Sequence, residues 1–291
     1  MQSLQVSSVH TGIALLVGNL DGFNLAGGSV ELENNNTEYV DCNIDENKMS
    51  VLLFTSGTTS KSKAVMLSQN NIASNVYSML LVEDLRPTDS NLAFLPYHHI
   101  FGSTCMVVML AAGIKTAFPD GLRYVAQNLK EYEVSVFVGV PLLVEAIYKN
   151  VEKEIEKKGK TKLINIAKKV SNVLLKLHID VRRKLFKQVI DGLGGKMRFV
   201  ISGGAPLDKR VSKGFNELGI QVAQGYGLTE TAPVLTLRNV TDKNFLGSVG
   251  TPVRGCDLKV VDPKTFEEFS KKFVAFVFCT RRVQHPFGVP S

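Results

Sequence analysis

Val51-Leu52-Leu53-Phe54-Thr55-Ser56-Gly57-Thr58-Thr59-Ser60-Lys61-Ser62-Lys63 joins an apolar run to a loop of hydroxyl side chains. An apolar strand that opens into hydroxyls, a glycine and a lysine is typical of an anion-binding loop. Gly57 lets the backbone approach an oxyanion, the hydroxyls donate hydrogen bonds, and Lys63 adds positive charge. A Ser/Thr-rich linker is the alternative, but a second apolar run, residues 64–67, follows at once. We therefore expect a phosphate-binding loop beside a buried strand.

The composition is typical of a globular protein. The chain has 291 residues, of which 44% are hydrophobic, enough for one large domain or two smaller ones. Its four cysteines lie far apart without a Cys-x-x-Cys pair, so neither a zinc site nor a disulfide framework is indicated, and a reducing compartment is expected. The longest apolar stretch, around residues 105–112, is too short to cross a bilayer, and no secretory signal is evident. We expect a cytoplasmic protein.

Positive charge is concentrated in one segment. Between Lys149 and Arg198 there are 15 Lys/Arg and 5 Asp/Glu, although the whole chain carries only +7. Apolar residues recur there at helical spacing and predict one amphipathic helix: Leu163, Ile164, Ala167, Val170, Val173, Leu174 and Leu177. We expect a second helix from Asp180 to Ile190. A solvated helix face is the favoured interpretation, and peripheral contact with an anionic membrane surface is the alternative. Nucleic acid is not expected as a partner, because no recognition motif accompanies the charge.

Strand-like and helical patterns alternate from Ser50 to about Val261. The strand-like runs are Val51–Thr55, Leu92–Leu95, Lys115–Phe118, Val134–Val138, Met197–Ile201, Ile220–Ala223 and Leu258–Val261. The helical patterns are Gln69–Leu81 after the cap Ser68, Phe101–Ala112, Gly121–Glu131, Leu142–Tyr148 and Asp208–Leu218. This alternation predicts an α/β fold with a mostly parallel sheet flanked by helices. Ligands of such folds bind beyond the carboxyl ends of the strands.

Two histidines follow the second of these strands, in Leu95-Pro96-Tyr97-His98-His99-Ile100-Phe101-Gly102. A metal pair is not expected, because successive side chains diverge and no third ligand lies nearby in the sequence. From composition alone, a structural histidine is the better interpretation.

Two further strands end in glycine-rich loops. Ser202-Gly203-Gly204-Ala205-Pro206-Leu207 permits close approach of a planar ring or a phosphate, although an ordinary strand-to-helix turn explains it equally well. Gln224-Gly225-Tyr226-Gly227-Leu228-Thr229-Glu230 offers an aromatic face, a hydroxyl for a phosphate and a carboxylate for Mg²⁺. The loop tyrosine and glutamate would otherwise be read as surface residues.

In this order, the loops resemble the signatures of the AMP-forming acyl-CoA synthetases and their adenylate-forming relatives. The first resembles Thr-Ser-Gly-Thr-Thr-Gly-x-Pro-Lys-Gly, with Ser60, Ser62 and Ala64 as departures. Pro96, His99 and Gly102 match Pro-Leu-x-His-x-x-Gly, residues 203–206 match the adenine-contacting turn, and residues 226–230 match Tyr-Gly-x-Thr-Glu. The basic helical segment is most similar to the long-chain fatty acid–CoA ligase branch.

The resemblance implies ATP-dependent activation of a long-chain fatty acid through acyl-AMP to acyl-CoA, with ATP, Mg²⁺ and CoA as cofactors. The implied catalytic residues are His99, Thr229, Glu230 and Lys63. The implied nucleotide-binding residues are Thr55, Ser56, Gly57, Thr58, Thr59, Lys63, Gly203, Gly204, Ala205, Pro206, Gln224, Gly225, Tyr226, Gly227 and Thr229. Glu230 and Thr58 are the expected magnesium ligands. A non-catalytic nucleotide- or acyl-binding remnant, or an interaction module, is the alternative function.

The resemblance also divides the chain. Residues 1–49 form a divergent N-terminal segment, residues 50–264 an AMP-binding core with a basic helical insertion at 149–196, and residues 265–291 a divergent tail. The core corresponds to the central part of the large N-terminal domain of such enzymes. The small lysine-bearing C-terminal domain is not recognised in the sequence, so we expect a truncated, frameshifted or split gene, with a separate chain as one source of that domain. We also expect exposed apolar surface.

Overall fold

The computed structural model describes residues 44–55, 62–238, 247–261 and 276–281. It has the following strands: β1 (Met49–Thr55), β2 (Lys63–Ser68), β3 (Ser90–Leu92), β4 (Lys115–Ala117), β5 (Val136–Gly139), β6 (Phe199–Ser202), β7 (Gln221–Gly227), β8 (Val234–Leu237), β9 (Thr251–Pro252), β10 (Cys256–Val261) and β11 (Phe276–Arg281). It has the following helices: α1 (Gln69–Val82), α2 (Ile100–Ala111), α3 (Val125–Glu131), α4 (Pro141–Lys157), α5 (Thr161–Lys176), α6 (Arg182–Leu185), α7 (Lys187–Asp191) and α8 (Lys209–Glu217).

A seven-stranded sheet forms the centre of the fold, in the order β4-β3-β5-β6-β7-β8-β9. The strands from β4 to β7 pair in parallel, and β8 and β9 extend the sheet in antiparallel fashion. The predicted α/β fold with a mostly parallel sheet is therefore confirmed. The two antiparallel strands were missed, because each is short and follows a glycine-rich loop that hides the end of a strand pattern.

The expected first strand is real, but its predicted environment is wrong. β1 and β2 form a separate antiparallel pair outside the main sheet. Their side chains alternate, so that Phe54 is 71% exposed whereas Val65 and Leu67 are buried against Ile100 and Ala232. The run looked buried because both faces of this pair carry apolar residues, and only one face packs against the protein.

Most helices agree closely with the sequence patterns, but α4 continues to Lys157, nine residues beyond the predicted Leu142–Tyr148. At the start of α1, the Asn71 backbone N–H donates to the Ser68 hydroxyl at 3.3 Å and the Asn71 side chain accepts from the Ser68 N–H at 2.9 Å. This capping box satisfies two of the free groups at the helix end. The Asp208 side chain caps α8 by accepting from the Arg210 N–H at 2.7 Å. The segment from Asp180 to Ile190 folds as two short helices, α6 and α7, where one was predicted.

The amphipathic helix α5 has two apolar faces where one stripe was predicted. Ile164 and Ala167 pack against the main core cluster. A second row lies on the solvent side and is exposed: Leu163, Ile166, Val170, Val173 and Leu177. Spacing of three and four residues describes both rows, so the sequence could not separate them. The expectation of exposed apolar surface is confirmed here and on β1.

The Asp89 carboxylate connects the loop before β3 to the neighbouring strands. It is buried, and one of its oxygens accepts from Ser135 Oγ and from Arg198 Nε, each at 2.7 Å. Arg198 Nη2 also pairs with the second oxygen. Burial by itself would raise the pKa of Asp89, but these hydrogen bonds outweigh it and hold the pKa below its ordinary value.

We expect Asp89→Asn to lower the free energy of unfolding by about 3 kcal/mol at neutral pH, because it leaves the Arg198 charge without its buried partner. Since the native pKa is lowered, the stabilisation is present above the unfolded carboxyl pKa of about 4. It is lost as the pH falls through the native pKa. Urea denaturation of the wild-type chain and of Asp89→Asn, from neutral to acidic pH, measures how the difference in the free energy of unfolding depends on pH. Asp191→Asn, at the exposed pair with Lys187, is the control and should cost under about 0.5 kcal/mol. Equal effects of the two substitutions would contradict the assignment.

Candidate functional site

A cavity of about 890 Å³ lies at the carboxyl ends of β6 and β7, beside the start of α2. Seven of the residues predicted from the sequence line it: His99, Gly203, Gly204, Gly225, Tyr226, Gly227 and Thr229. They come from three loops, of which the first lies about a hundred residues before the other two in the sequence, and the parallel sheet brings those loops to one edge. The cavity also has an apolar part, formed largely by α1, α2 and the strands beneath them.

The loop after β6 lies directly against α2. A Cβ on Gly203 would come within 2.9 Å of the Phe101 ring, which also lines the cavity. Gly204 has a positive φ of +86°, and a Cβ there would meet nothing within 4 Å. The first glycine is therefore needed for packing and the second for backbone conformation. Together they keep this wall of the cavity free of side chains.

The loop after β7 is equally tight. A Cβ on Gly227 would lie 1.8 Å from the Pro233 carbonyl oxygen, so β7 and β8 can pair here only through glycine. Tyr226, half-buried, precedes it and lines the cavity. Beneath the two loops, buried Gln224 accepts a hydrogen bond from the Leu207 N–H at 3.2 Å through Oε1. Gln224 thus couples the loops without lining the cavity.

His99 stands at the N-terminal end of α2, as its cap residue. It is exposed on the cavity wall, whereas its neighbour His98 is not part of the lining, although their ring centroids are 4.4 Å apart. The preceding loop packs on α2 at Gly102, where a Cβ would lie 2.3 Å from the Pro96 carbonyl oxygen. Close packing explains the spacing from Pro96 to Gly102, with the histidine between them held at the helix start.

Thr229 and Glu230 begin a short 3-10 turn, Thr229–Thr231. Thr229 lines the cavity and is half-buried, whereas Glu230 is exposed and lies outside the lining. The turn is closed by the Thr231 hydroxyl, which accepts from the Leu228 N–H at 2.9 Å. β2 packs against this turn, so the hairpin that carries Lys63 is adjacent to it. Lys63 itself is exposed.

Asn75 is an organising residue that the sequence analysis missed. It is fully buried on α1; its amide donates to the Val234 carbonyl at 2.7 Å, and its Oδ1 accepts from the Val234 N–H at 3.2 Å. A weaker bond reaches the Thr231 carbonyl at 3.4 Å. One side chain therefore fixes the turn and the start of β8 to the helix. A polar residue on the apolar stripe with Ile72 and Met79 was the available signal.

The remaining predicted residues are distributed around this cavity. Thr55 ends β1 and is half-buried, and Ala205 and Pro206 are exposed beyond Gly204. Ser56, Gly57, Thr58 and Thr59 lie outside the described residues, so their predicted roles are untested. The thiol of Cys105, on the cavity wall, is not available as a nucleophile at neutral pH, because burial raises its pKa to about 12.

One exposed carboxylate, that of Glu230, directly follows the cavity residue Thr229 in the chain. Among the residues with described positions, no group of three or more His, Cys, Asp or Glu side chains is arranged to hold a metal. Mg²⁺ retains several waters and needs only one or two carboxylates besides the phosphates of its nucleotide. The single exposed carboxylate of Glu230, next to the cavity residue Thr229, fits that requirement.

Comparison with known proteins gives a consistent result. The profile of the family described as AMP-binding enzyme matches residues 7–272. The chain is 31% identical to long-chain fatty acid–CoA ligase 5 of Rattus norvegicus, and the match covers 76% of this chain and 34% of that protein. It is 27% identical to the chloroplastic long-chain fatty acid acyl-carrier-protein ligase AEE15 of Arabidopsis thaliana, over 76% of this chain and 36% of that one. It thus spans about a third of each relative.

Solved structures share the fold. ATP-bound MatB from Rhodopseudomonas palustris superposes with a TM-score of 0.62 at 23% identity, over 82% of this chain and 41% of that one. O-succinylbenzoate coenzyme A synthetase (MenE) from Bacillus subtilis, in complex with ATP and a magnesium ion, gives a TM-score of 0.60 at 19% identity, over 82% and 42% of the respective chains.

The tight packing at Gly227 generates a prediction about stability. Gly227→Ala should lower the free energy of unfolding by about 3 kcal/mol, because the added methyl meets a backbone carbonyl that cannot move aside. Gly204→Ala is the matched control: it adds the same methyl to open space and should cost only about 1 kcal/mol for its positive φ. Urea denaturation of the two variants measures the difference. A larger cost at Gly204 would show that the loop after β7 is not packed as described.

Proposed function

The chain belongs to the family of AMP-binding enzymes, and from that membership we propose that it binds ATP and takes part in activating a long-chain fatty acid as its acyl-AMP and then as its CoA thioester. The observation that carries the proposal is the meeting of His99, Gly203 and Thr229 in one cavity at the sheet edge. Those residues match three separate family motifs, yet only the fold brings them together. The rat relative named above, a long-chain fatty acid–CoA ligase, supports this substrate class.

The reaction has two steps. The fatty acid carboxylate attacks the α-phosphorus of ATP, which forms the mixed anhydride acyl-AMP and releases pyrophosphate. The CoA thiol then attacks the acyl carbon, loses its proton, and releases AMP. Neither step needs a covalent bond to the protein, so the protein acts by positioning the reactants and stabilising charge.

Each predicted site residue has a defined role in this proposal. The side-chain-free wall at Gly203 and Gly204 accommodates adenine, and Tyr226 supplies an aromatic face. Thr229 donates a hydrogen bond to the α-phosphate, and His99 lies where the acyl carboxylate meets it. Lys63 balances phosphate charge from the adjacent hairpin, together with the hydroxyls of residues 55, 56, 58 and 59. Glu230 and Thr58 would hold Mg²⁺, which would supply neutralisation of charge on the phosphates.

The acyl chain occupies the apolar part of the cavity. The lining there includes Met79, Leu85, Phe94, Val108 and Met109, which belong to α1, α2 and the loops on either side of β3. Apolar lining with a few polar groups at one end is the usual form of a lipid site. We assign CoA as the acceptor on the resemblance of the basic helical segment, while one relative is named for acyl carrier protein instead.

The exposed row on α5 supports peripheral contact with an anionic membrane surface. Its five apolar side chains lie beside Lys162, Lys169 and Lys176, which recur every seven residues and are exposed. An exposed apolar stripe bordered by lysines is the pattern of a helix that lies in the membrane interface. No helix within the described ranges is both long and apolar enough to cross a bilayer. Long-chain fatty acids partition into membranes, so such contact would place the protein near its substrate.

The nucleotide assignment predicts that Lys63→Ala weakens binding of ATP·Mg²⁺ about tenfold, because a charge-assisted contact to phosphate is lost. Titration calorimetry on the purified chain measures this. Lys130→Ala, which removes an exposed lysine of α3, should leave the affinity unchanged.

A hydroxamate assay with palmitate then separates binding from adenylation. Acyl-AMP formation supports the enzyme, whereas ATP binding without acyl-AMP supports a nucleotide-binding module. Absence of ATP binding, or equal effects of the two substitutions, would refute the assignment.

The membrane contact predicts that the chain sediments with phosphatidylcholine vesicles when they contain phosphatidylglycerol. Val170→Asp should reduce this binding about tenfold, because it puts a charge in the apolar row. Asn165→Asp is the control, since it adds the same charge to the same helix away from the row, and it should have a much smaller effect. If Val170→Asp leaves vesicle binding unchanged, α5 is not the membrane contact.

A further inference from the structure

Glu83 is a buried acid in the apolar part of the cavity. It follows the last residue of α1, is only 5% exposed, and belongs to the cavity lining. Neither of its carboxyl oxygens has a hydrogen-bond partner among the described residues. Buried carboxyl groups nearly always have such partners, because the loss of water costs several kcal/mol otherwise. The position therefore needs an explanation beyond packing.

Glu83 lies far from the nucleotide loops. Asn75, in the middle of α1, contacts the Thr231 carbonyl, two residues after Thr229. Glu83 is eight positions further along the chain, which corresponds to about 12 Å along a helix axis. The other side chains of this part of the cavity are apolar, including Met79, Leu85 and Leu237. A fatty acid with its carboxylate near His99 would direct its methyl end toward Glu83.

The charges around Glu83 limit which chemical group it can receive. Burial raises the pKa of Glu83 to about 8, although Arg198 and Arg238 lower it and Asp84 raises it slightly. At neutral pH the carboxyl is thus mostly protonated and can both donate and accept a hydrogen bond. The two arginines disfavour a second cation at this place, and burial disfavours a substrate carboxylate. A neutral hydroxyl of the substrate can accept a hydrogen bond from the protonated Glu83 and donate one to it, and it brings no charge into the buried site.

We propose that Glu83 is a specificity-determining residue that selects fatty acids bearing a hydroxyl group near the methyl end of the chain. Ser202 is a second buried polar group of the lining, and its hydroxyl has no hydrogen-bond partner among the residues with described positions. It lies on the nucleotide side of the cavity, so it is separate from Glu83. The inference rests on the proposed function, because it assumes that the apolar part of this cavity holds the acyl chain. It goes beyond that function by assigning a substrate class within the fatty acids.

The test is equilibrium binding of matched lipids to the purified full chain, without ATP. Laurate, myristate and palmitate are compared with their ω-hydroxy counterparts below their critical micelle concentrations, by titration calorimetry. We expect the ω-hydroxy acid to bind about tenfold more tightly than the plain acid at the best-fitting chain length. A series of lengths is used so that a mismatch of length alone cannot hide the preference.

Three variants identify the residue. Glu83→Leu should reverse the preference, because the hydroxyl would then be buried without a partner and the apolar chain would gain contacts. Glu83→Gln keeps a donor and an acceptor and should retain the preference, which a role in packing or ion pairing would not produce. Glu154→Leu removes an exposed acid of α4 and should change nothing. Thermal melts establish that each variant is folded.

The outcomes separate this inference from the proposed function. Equal binding of plain and hydroxylated acids at every length, or a preference unchanged by Glu83→Leu, overturns the role of Glu83 and leaves the fatty acid site in place. If no fatty acid binds while ATP still binds, the role of Glu83 and the assignment of the apolar part to the acyl chain are both overturned, and the nucleotide assignment stands. If ATP binding is absent as well, the proposed function fails with it.

Discussion

Both ends of the cavity depend on how α1 is held against the edge of the sheet, and the side chain of Asn75 provides that attachment. It satisfies the N–H and C=O of Val234 and reaches the Thr231 carbonyl. Because these groups belong to the point where β7 turns back into β8, the loop that carries Thr229 cannot move independently of the helix. Glu83 directly follows the same helix, so one rigid element links the nucleotide end of the cavity to its apolar end.

The loops around the nucleotide end owe their shape to glycines, which have no side chains. At Gly102, Gly203 and Gly227, a methyl group would contact a carbonyl oxygen or an aromatic ring at under 3 Å. Three chain segments therefore approach one another more closely than residues with side chains would allow. The space left open at the strand ends follows from this packing, and His99, Tyr226 and Thr229 are among the side chains that line it.

The sequence revealed more of the site than of the elements that support it. The glycine loops, His99 and Thr229 were singled out because short motifs follow strands, but local pattern left ordinary structural roles open, and the family resemblance supplied their expected functions. The hairpin β1–β2 was assigned to the wrong environment, since an apolar run does not tell whether a partner covers each face. The two apolar rows of α5 were merged for the same reason. Asn75 and Glu83 were missed because their significance lies in contacts with residues distant in sequence, which neither periodicity nor motif spacing reports.

The register of β1 and β2 has a thermodynamic consequence for the hydroxyl loop. Thr55 and Lys63 are paired across this two-stranded sheet, so the backbone is already brought together on either side of residues 56–62. Closing a free loop costs conformational entropy that grows with the logarithm of its length. Here the strand pairing and the burial of Val65 and Leu67 offset that cost during folding. A phosphate that binds between the two ends would therefore retain more of its contact energy as affinity.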